Sequence, residues 1–193
     1  MPDEKNIRAF LALEIPEDVQ DAVSRLQEKL KRDLGGRISW TQSQGRHLTL
    51  KFFGNVSAED VKHISSAVDS RTQLHRPLNL SIGELGVFPN PQRPRVLWCG
   101  VAGEIEKLCT LQKQLDGDFT GLDFPAEDRS YRAHLTLARM KDPRDVSGVE
   151  KALTQYKAFS AGEFSGKELV LFQSKLSPRG AVYTKLAVFP LAG

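Results

Sequence analysis

The sequence has few cysteines, no long apolar run and none of the common metal- or nucleotide-binding signatures. Cysteine occurs twice, as Cys99 and Cys109. Two cysteines cannot build a disulfide framework, and the count fits free thiols in a reducing compartment. No apolar stretch approaches the ~20 residues that span a bilayer. The opening residues are polar, carry Asp3 and Glu4, and lack the basic start and apolar run of a secretory leader. CxxC, HxxxH, Walker A and GxGxxG patterns are all missing. Low-complexity tracts, charge blocks and long linkers are missing too. A disulfide scaffold, collagen and a disordered chain are excluded. The expectation is a soluble, cytoplasmic protein with no membrane contact.

The chain has 193 residues, 40% hydrophobic and 26% charged, the profile of an ordinary globular protein. A chain of this length buries roughly 70% of its unfolded surface and needs no staples. We read one domain over residues 1–193. Strands and helices interleave. Ile7 to Ile15 reads as a buried strand. Pro16 opens a helix whose apolar residues Val19, Val23, Leu26 and Leu30 follow at helical spacing, with Gly35 and Gly36 ending it. A short strand at Ile38 to Trp40 precedes a second, Arg46 to Phe53, broken by Gly54 and Asn55. Ser57 and Asp60 form a capping-box pattern for a helix to about Ser70. Strands follow at Leu78 to Leu85 and Val96 to Val101, joined by a loop over Phe88 to Arg95. A helix over Glu104 to Leu115 has one polar residue, Gln112, on its apolar stripe. Then come a strand at His134 to Arg139, a helix at Val146 to Tyr156, and strands at Glu168 to Ser174 and Ala181 to Phe189. Pro178-Arg179-Gly180 joins the last two. Frequent hairpin-like connections favour α+β with antiparallel pairing.

The informative feature is a repeat. His47-Leu48-Thr49-Leu50 recurs as His134-Leu135-Thr136-Leu137, and two of the chain's four histidines lie in it. On a strand, His and Thr face one side and the two leucines the other. The leucines anchor a core while the imidazole and hydroxyl are presented together. If two halves pack about a pseudo-twofold axis, one cleft receives both pairs. Such a cleft suits phosphoryl chemistry. A neutral imidazole takes a proton from water and a charged one protonates a leaving oxygen. Threonine hydroxyls donate to phosphate oxygens. The window from Arg129 to Lys141 holds Arg129, Arg132, Arg139 and Lys141 and no acid, against a formal +3 for the whole chain. Arg46 and Lys51 flank the first copy. An anionic ligand fits this charge.

Plainer readings stand beside this one. A single HLTL is most often a half-buried strand. His63 on a helix and His75 in a loop read as surface residues, and Cys99 as core. A zinc site at His47, His134 and a third ligand has no supporting spacing.

The paired motifs resemble the two-histidine (2H) phosphoesterase superfamily and, within it, the LigT-like RNA 2′,3′-cyclic phosphodiesterases, also called 2′-5′ RNA ligases. The resemblance covers nearly the whole chain. Arg8 to Leu13 is similar to the family's first strand, His47 to Gly54 to its first motif, and Pro94 to Trp98 with Phe88-Pro89 to the middle segment. His134 to Arg139 is similar to the second motif and Gly180 to Leu191 to the closing strand. The resemblance implies an α+β, bilobal fold, with two pseudo-symmetric lobes whose antiparallel sheets face a central cleft and helices outside. It implies metal-independent hydrolysis of RNA 2′,3′-cyclic phosphate ends to 2′-phosphomonoesters, by a monomer without a cofactor. His47 is then the general acid and His134 the general base, with Thr49, Thr136 and Arg139 on the phosphate. Reversible 2′-5′ ligation uses the same residues, and a non-catalytic module binding RNA ends is the alternative from another class. Ala133 replaces a proline frequent in the family. Arg139 lies five residues after His134, on the opposite face of an ideal strand, and serves the cleft only if the strand twists, bulges or ends. Phe10 and Tyr183 suit base stacking or core packing. Paired histidines predict a bell-shaped kcat/KM profile with both limbs near the histidine range.

Overall fold

The structure is a computed structural model that describes residues 6–127, 129–177 and 180–193. The expected turn at Pro178-Arg179 lies outside the described residues. Nine strands and four α-helices alternate: β1 (Ile7–Glu14), α1 (Glu17–Asp33), β2 (Ile38–Trp40), β3 (His47–Val56), α2 (Ala58–Thr72), β4 (Leu78–Phe88), β5 (Val96–Gly103), α3 (Ile105–Thr120), β6 (His134–Met140), α4 (Val149–Gln155), β7 (Ser160–Gly166), β8 (Glu168–Ser177) and β9 (Gly180–Pro190), counted over the described residues. All pairings among these strands are antiparallel, in two sheets of order β3-β1-β8-β9 and β2-β6-β5-β4-β7. The fold is the expected α+β class.

The sheets do not divide the chain at its midpoint. The first joins β1 and β3 to β8 and β9 from the C-terminal end, and the second takes β2 from the N-terminal end. A common four-strand order still repeats, starting from each motif strand. β3, β1, β8 and β9 in one sheet match β6, β5, β4 and β7 in the other.

Local sequence explains most elements. In α1, Val19, Val23, Leu26 and Leu30 form the buried stripe, with Glu17 and Asp18 in the first turn and Lys31 and Arg32 in the last, matching the helix dipole. The capping box of α2 forms as expected: Ser57 N donates to Asp60 Oδ2 at 2.8 Å and Asp60 N to Ser57 Oγ at 3.1 Å. Helix α3 runs on to Thr120 because Phe119 extends its buried stripe. Helix α4 is shorter than its expected Val146 to Tyr156, since Ser147 bridges to Gly35 and Gly148, with φ of 83°, stands before its first turn. Gly54 does not end β3. With φ of 75° it sits beside a bulge, pairs with Ala9, and the strand continues to Val56. Strand β7 has no counterpart among the sequence expectations. Its sequence SAGEFSG buries only Phe164 and Gly166, which leaves almost no apolar alternation to read.

The leucines of both motifs join one core. Leu48, Leu50, Leu135 and Leu137 cluster with Leu11, Leu13, Leu97 and Cys99. On the other face of the first sheet lies a second cluster of Phe10, Ala12, Val170 and Phe172, with Tyr183 packed against it.

Two cations, Arg46 and Lys51, are buried with this core. Lys51 is 5% exposed, and its Nζ donates to Asp116 Oδ1 and to the Pro125 carbonyl, both at 2.6 Å. It ties β3 to α3 and to the segment leading towards β6. Removing one partner of a buried pair leaves an uncompensated charge, whereas replacing both by apolar groups can be neutral. Asp116→Ala is therefore expected to cost about 3 kcal/mol in urea melts. The double change Lys51→Met with Asp116→Leu is expected to cost far less. Equal losses from both would show that the pair contributes through packing alone.

Candidate active site

Cross-strand register places the repeated residues. In β3, His47 pairs with Glu14, Leu48 with Leu13 and Thr49 with Ala12; the next pair is Lys51 with Leu11, so Leu50 has no partner. In β6, His134 pairs with Gly100, Leu135 with Cys99 and Thr136 with Trp98; the next pair is Ala138 with Leu97, so Leu137 has no partner. Both strands bulge at the fourth residue of the tetrapeptide. A bulge resets the alternation of faces. Leu50 and Lys51 are buried side by side, as are Leu137 and Ala138. The residues that follow, Phe52 and Arg139, return to the face of the histidines. Phe52 pairs with Phe10, and their rings lie 5.7 Å apart. Arg139 pairs with Val96, which shares a face with Trp98, the partner of Thr136. The bulge thus carries Arg139 to the cleft side, which an ideal strand denies it. Strands β3 and β6 lie against each other at the junction of the two sheets.

The bulges are braced by crossed glutamines. Gln27 of α1 donates through Nε2 to the carbonyl of Leu137 at 3.0 Å and of Thr41 at 2.9 Å. Its Oε1 accepts from Nη2 of Arg46, the residue before His47, at 2.9 Å. Arg46 Nη1 reaches the Gln20 carbonyl and Ser24 Oγ. Gln112 of α3 donates to the carbonyl of Leu50 at 3.3 Å. Each helix therefore holds the bulge of the motif on the other half of the chain. Both glutamines are buried. Gln112 is marked in the sequence only as a polar break in an apolar stripe, and Gln27 carries no signal there.

The wall around His47 is aromatic. Its ring lies 4.6 Å from Phe172, 5.3 Å from Tyr183 and 5.5 Å from Phe10. Beside it opens a cavity of about 270 Å³ lined by Glu14, Gln20, Phe172, Tyr183 and Lys185 among others. Lys185 pairs with Glu14. Burial pushes the His47 pKa down to about 4; Glu14 opposes the shift and Lys185 adds to it. Phe10 and Tyr183 both pack in the cleft-side cluster, at the edge of His47.

The opposite wall differs. His134 Nδ1 lies 2.7 Å from the Arg132 carbonyl, which can only accept, so this nitrogen carries the hydrogen and Nε2 is left for the cleft. Phe88 stands edge-on to the imidazole at 5.1 Å and against Trp98 at 5.0 Å. Gly86 makes room for that indole, since a Cβ there would come within 2.2 Å of it. His63 and His75 lie elsewhere, His63 exposed on α2 and His75 bonded to Gln114 at 2.8 Å. Cys99 is fully buried, and burial pushes its thiol up to about 12. Among the described residues no group of three or more His, Cys, Asp or Glu converges as metal ligands. Among them, too, no helix is long and apolar enough to cross a membrane.

The crossed bonds and the buried imidazole each have a measurable consequence. Gln27→Leu strands a guanidinium donor and two carbonyls, and is expected to cost about 3 kcal/mol in urea melts, against about 1 kcal/mol for Gln112→Leu. Equal losses would show that the Gln27 bonds add nothing beyond packing. Separately, His47 binds a proton more weakly folded than unfolded. Its stabilising contribution is present above the unfolded value near 6.5 and is lost as pH falls towards 4. His47→Gln is expected to flatten the decline of stability across this window, by up to about 3 kcal/mol. An unchanged decline would place the titrating group elsewhere.

The chain matches known proteins over nearly its full length. Residues 13–98 and 100–183 each match the family model described as LigT like Phosphoesterase. Each match holds one copy of the tetrapeptide. The RNA 2′,3′-cyclic phosphodiesterase of Methanothermobacter thermautotrophicus is 36% identical over 185 residues, 96% of this chain and 99% of that protein. Its counterpart in Methanocaldococcus jannaschii is 32% identical, over 92% of this chain and 96% of that protein. A crystal structure from Thermus thermophilus superposes with a TM-score of 0.79 at 27% identity, covering 97% of this chain and 99% of that one.

Proposed function

The chain belongs to the LigT-like phosphoesterase family, and from that premise we propose that it hydrolyses the 2′,3′-cyclic phosphate at an RNA end to a 2′-phosphomonoester, by paired-histidine acid–base catalysis and without a metal. The curated relatives named as RNA 2′,3′-cyclic phosphodiesterases support the substrate. The observation that carries the mechanism is the equivalence of the two bulged strands, each offering an imidazole and a hydroxyl on one face.

In this reading His134 takes a proton from water through Nε2 as the water oxygen attacks phosphorus. The Arg132 carbonyl suits the role, since it stabilises the ring as it gains charge. The P–O3′ bond breaks, and His47 gives its proton to O3′. The 2′ oxygen keeps the phosphate. Thr49 and Thr136 donate to non-bridging oxygens, and Arg139 offsets their charge. His47 is mostly neutral in the free protein, because its aromatic wall excludes the water that would solvate an imidazolium. A bound phosphate anion raises its pKa and so loads the acid. Once charged, a ring held in such a wall is a strong donor. The sequence alone expects both limbs of kcat/KM near the ordinary histidine range; burial of His47 moves the low limb towards pH 4.

The test is a short RNA ending in a 2′,3′-cyclic phosphate, incubated in EDTA, with the product read by phosphorus NMR. A 2′-phosphate is expected, and His47→Ala or His134→Ala should each lower kcat by about 10²-fold or more. The kcat/KM profile should hold its value down to a limb near pH 4. Loss of turnover in EDTA would overturn metal independence. A 3′-phosphate product would overturn the assignment of His47 to O3′.

A further inference from the structure

We propose that Glu14 is the positioning residue of the acid histidine: its carboxylate, beside the imidazole of His47, stabilises the charged ring that donates the proton, and Lys185 restrains it from the far side. This rests on the acid role proposed for His47 above and adds a group that acts through that ring.

The placement follows from register. Glu14 ends β1, His47 opens β3, and the two are direct partners. Direct partners in an antiparallel pair share a face, with Cβ atoms about 5 Å apart. Lys185 of β9 is the partner of Phe172 of β8, whose ring lies 4.6 Å from that of His47. In the order β3-β1-β8-β9 the Lys185 side chain crosses β8 to reach Glu14, where Nζ pairs with Oε2. Glu14 thus has the imidazole on the strand to one side and an ammonium from beyond the strand on the other. All three residues line the cavity beside His47, and among the described residues that line it Glu14 is the one carboxylate.

The other groups around His47 leave this role to Glu14. Arg46 also lines the cavity, but its guanidinium is committed to Gln20, Ser24 and Gln27 of α1. Strand β9 adds the Tyr183 phenol, edge-on to the imidazole, while Phe10 and Phe172 bring no titratable group. The facing strand β6 carries His134 and Arg139. Cations favour a neutral ring; a carboxylate favours the charged one. Burial lowers the His47 pKa, Glu14 opposes the shift, and Glu14 acts on the ring more strongly than Lys185 does. An unpaired carboxylate beside a phosphate site repels the substrate. Paired with Lys185 it brings no net charge to the cleft, yet the ring still meets the carboxylate first. The second motif supplies the contrast. His134 is the partner of Gly100, which has no side chain, so the base lacks this neighbour at the equivalent register position.

The experiment is NMR of protein labelled at histidine, in wild type, Glu14→Gln, Glu14→Asp and Lys185→Gln, with the His47 signal assigned by its loss in His47→Gln. The charged fraction of the ring is read at a common, mildly acidic pH at which circular dichroism shows every variant folded. Glu14→Gln keeps the shape of the side chain and removes its charge, so the proton affinity of His47 is expected to fall about tenfold. Glu14→Asp should keep most of it, and Lys185→Gln should raise it. The His134 signal should hold its position throughout. A tenfold rarer imidazolium is also a stronger donor, so kcat/KM on the cyclic-phosphate RNA at neutral pH is expected to fall about threefold in Glu14→Gln. If the ion pair were merely structural, both Gln variants would lower stability and shift His47 in the same direction or not at all. Either result, or an unchanged kcat/KM beside a shifted ring, overturns the proposal. Should wild type leave the cyclic phosphate intact, the activity reading fails by itself, and the charged fractions still decide whether Glu14 governs the ring.

Discussion

In each motif strand the fourth residue of the tetrapeptide has no partner on the neighbouring strand, and the arrangement of the site follows from that mismatch. Without a bulge, the residue four places after each histidine would face the cleft and the fifth would face the core. For the first motif that would put Lys51 outside and Phe52 inside, which is what hydrophobicity alone prefers. The structure has the reverse, with Lys51 5% exposed and Phe52 60% exposed. The inversion is destabilising by itself, since a buried ammonium needs Asp116 and the Pro125 carbonyl to be tolerated. It follows from the unpaired Leu50, which sets Lys51 and Phe52 one step out of phase with the alternation that places Leu48 and Leu50 in the core. In the second motif the same step carries little penalty. Ala138 takes the inner position, and Arg139 reaches the cleft side without burying a charge.

A bulge leaves a peptide group unpaired in the ladder, and a buried unpaired carbonyl costs stability. The two helices meet this need across the halves, Gln27 at Leu137 and Gln112 at Leu50. The bracing is unequal. Gln27 also holds the Thr41 carbonyl and accepts from Arg46, so one side chain links the start of the first motif strand to the bulge of the second. The relative placement of the two imidazoles therefore depends on buried hydrogen bonds, which are directional, as well as on leucine packing, which is not. This distinguishes the junction of β3 and β6 from an ordinary contact between sheets.

Much of this is legible in the sequence, and the exceptions share a cause. The duplicated tetrapeptide, its strand periodicity and the capping box of α2 are local patterns, and local patterns survive in sequence. Arg139 stands out as a cation near a motif, yet its face depends on a bulge that only the partner strand defines. Strand β7 leaves no trace because an edge strand with Gly162 and Gly166 has little face to alternate. Gln27 and Gln112 bond carbonyls 110 and 62 residues away, and no windowed reading of sequence reaches that far. The cleft partners Phe172 and Lys185 likewise arrive from the far end of the chain, because β8 and β9 close the first sheet against β1.

The two walls divide the electrostatic work. Around His134 a carbonyl holds the ring in the tautomer with a free Nε2, a fixed geometry with no net charge. Around His47 the rings of Phe10, Phe172 and Tyr183 withhold water, which pushes the imidazole pKa down to about 4. Identical tetrapeptides are thus given different surroundings by what packs on them. Burial decides the outcome at His47, with Glu14 raising the ring's pKa and its partner Lys185 lowering it. In such a wall the field that matters most is the ligand's. On the proposed mechanism, proton donation by His47 is then coupled to occupancy of the cleft, because the anion that needs the proton is also the charge that makes the proton available.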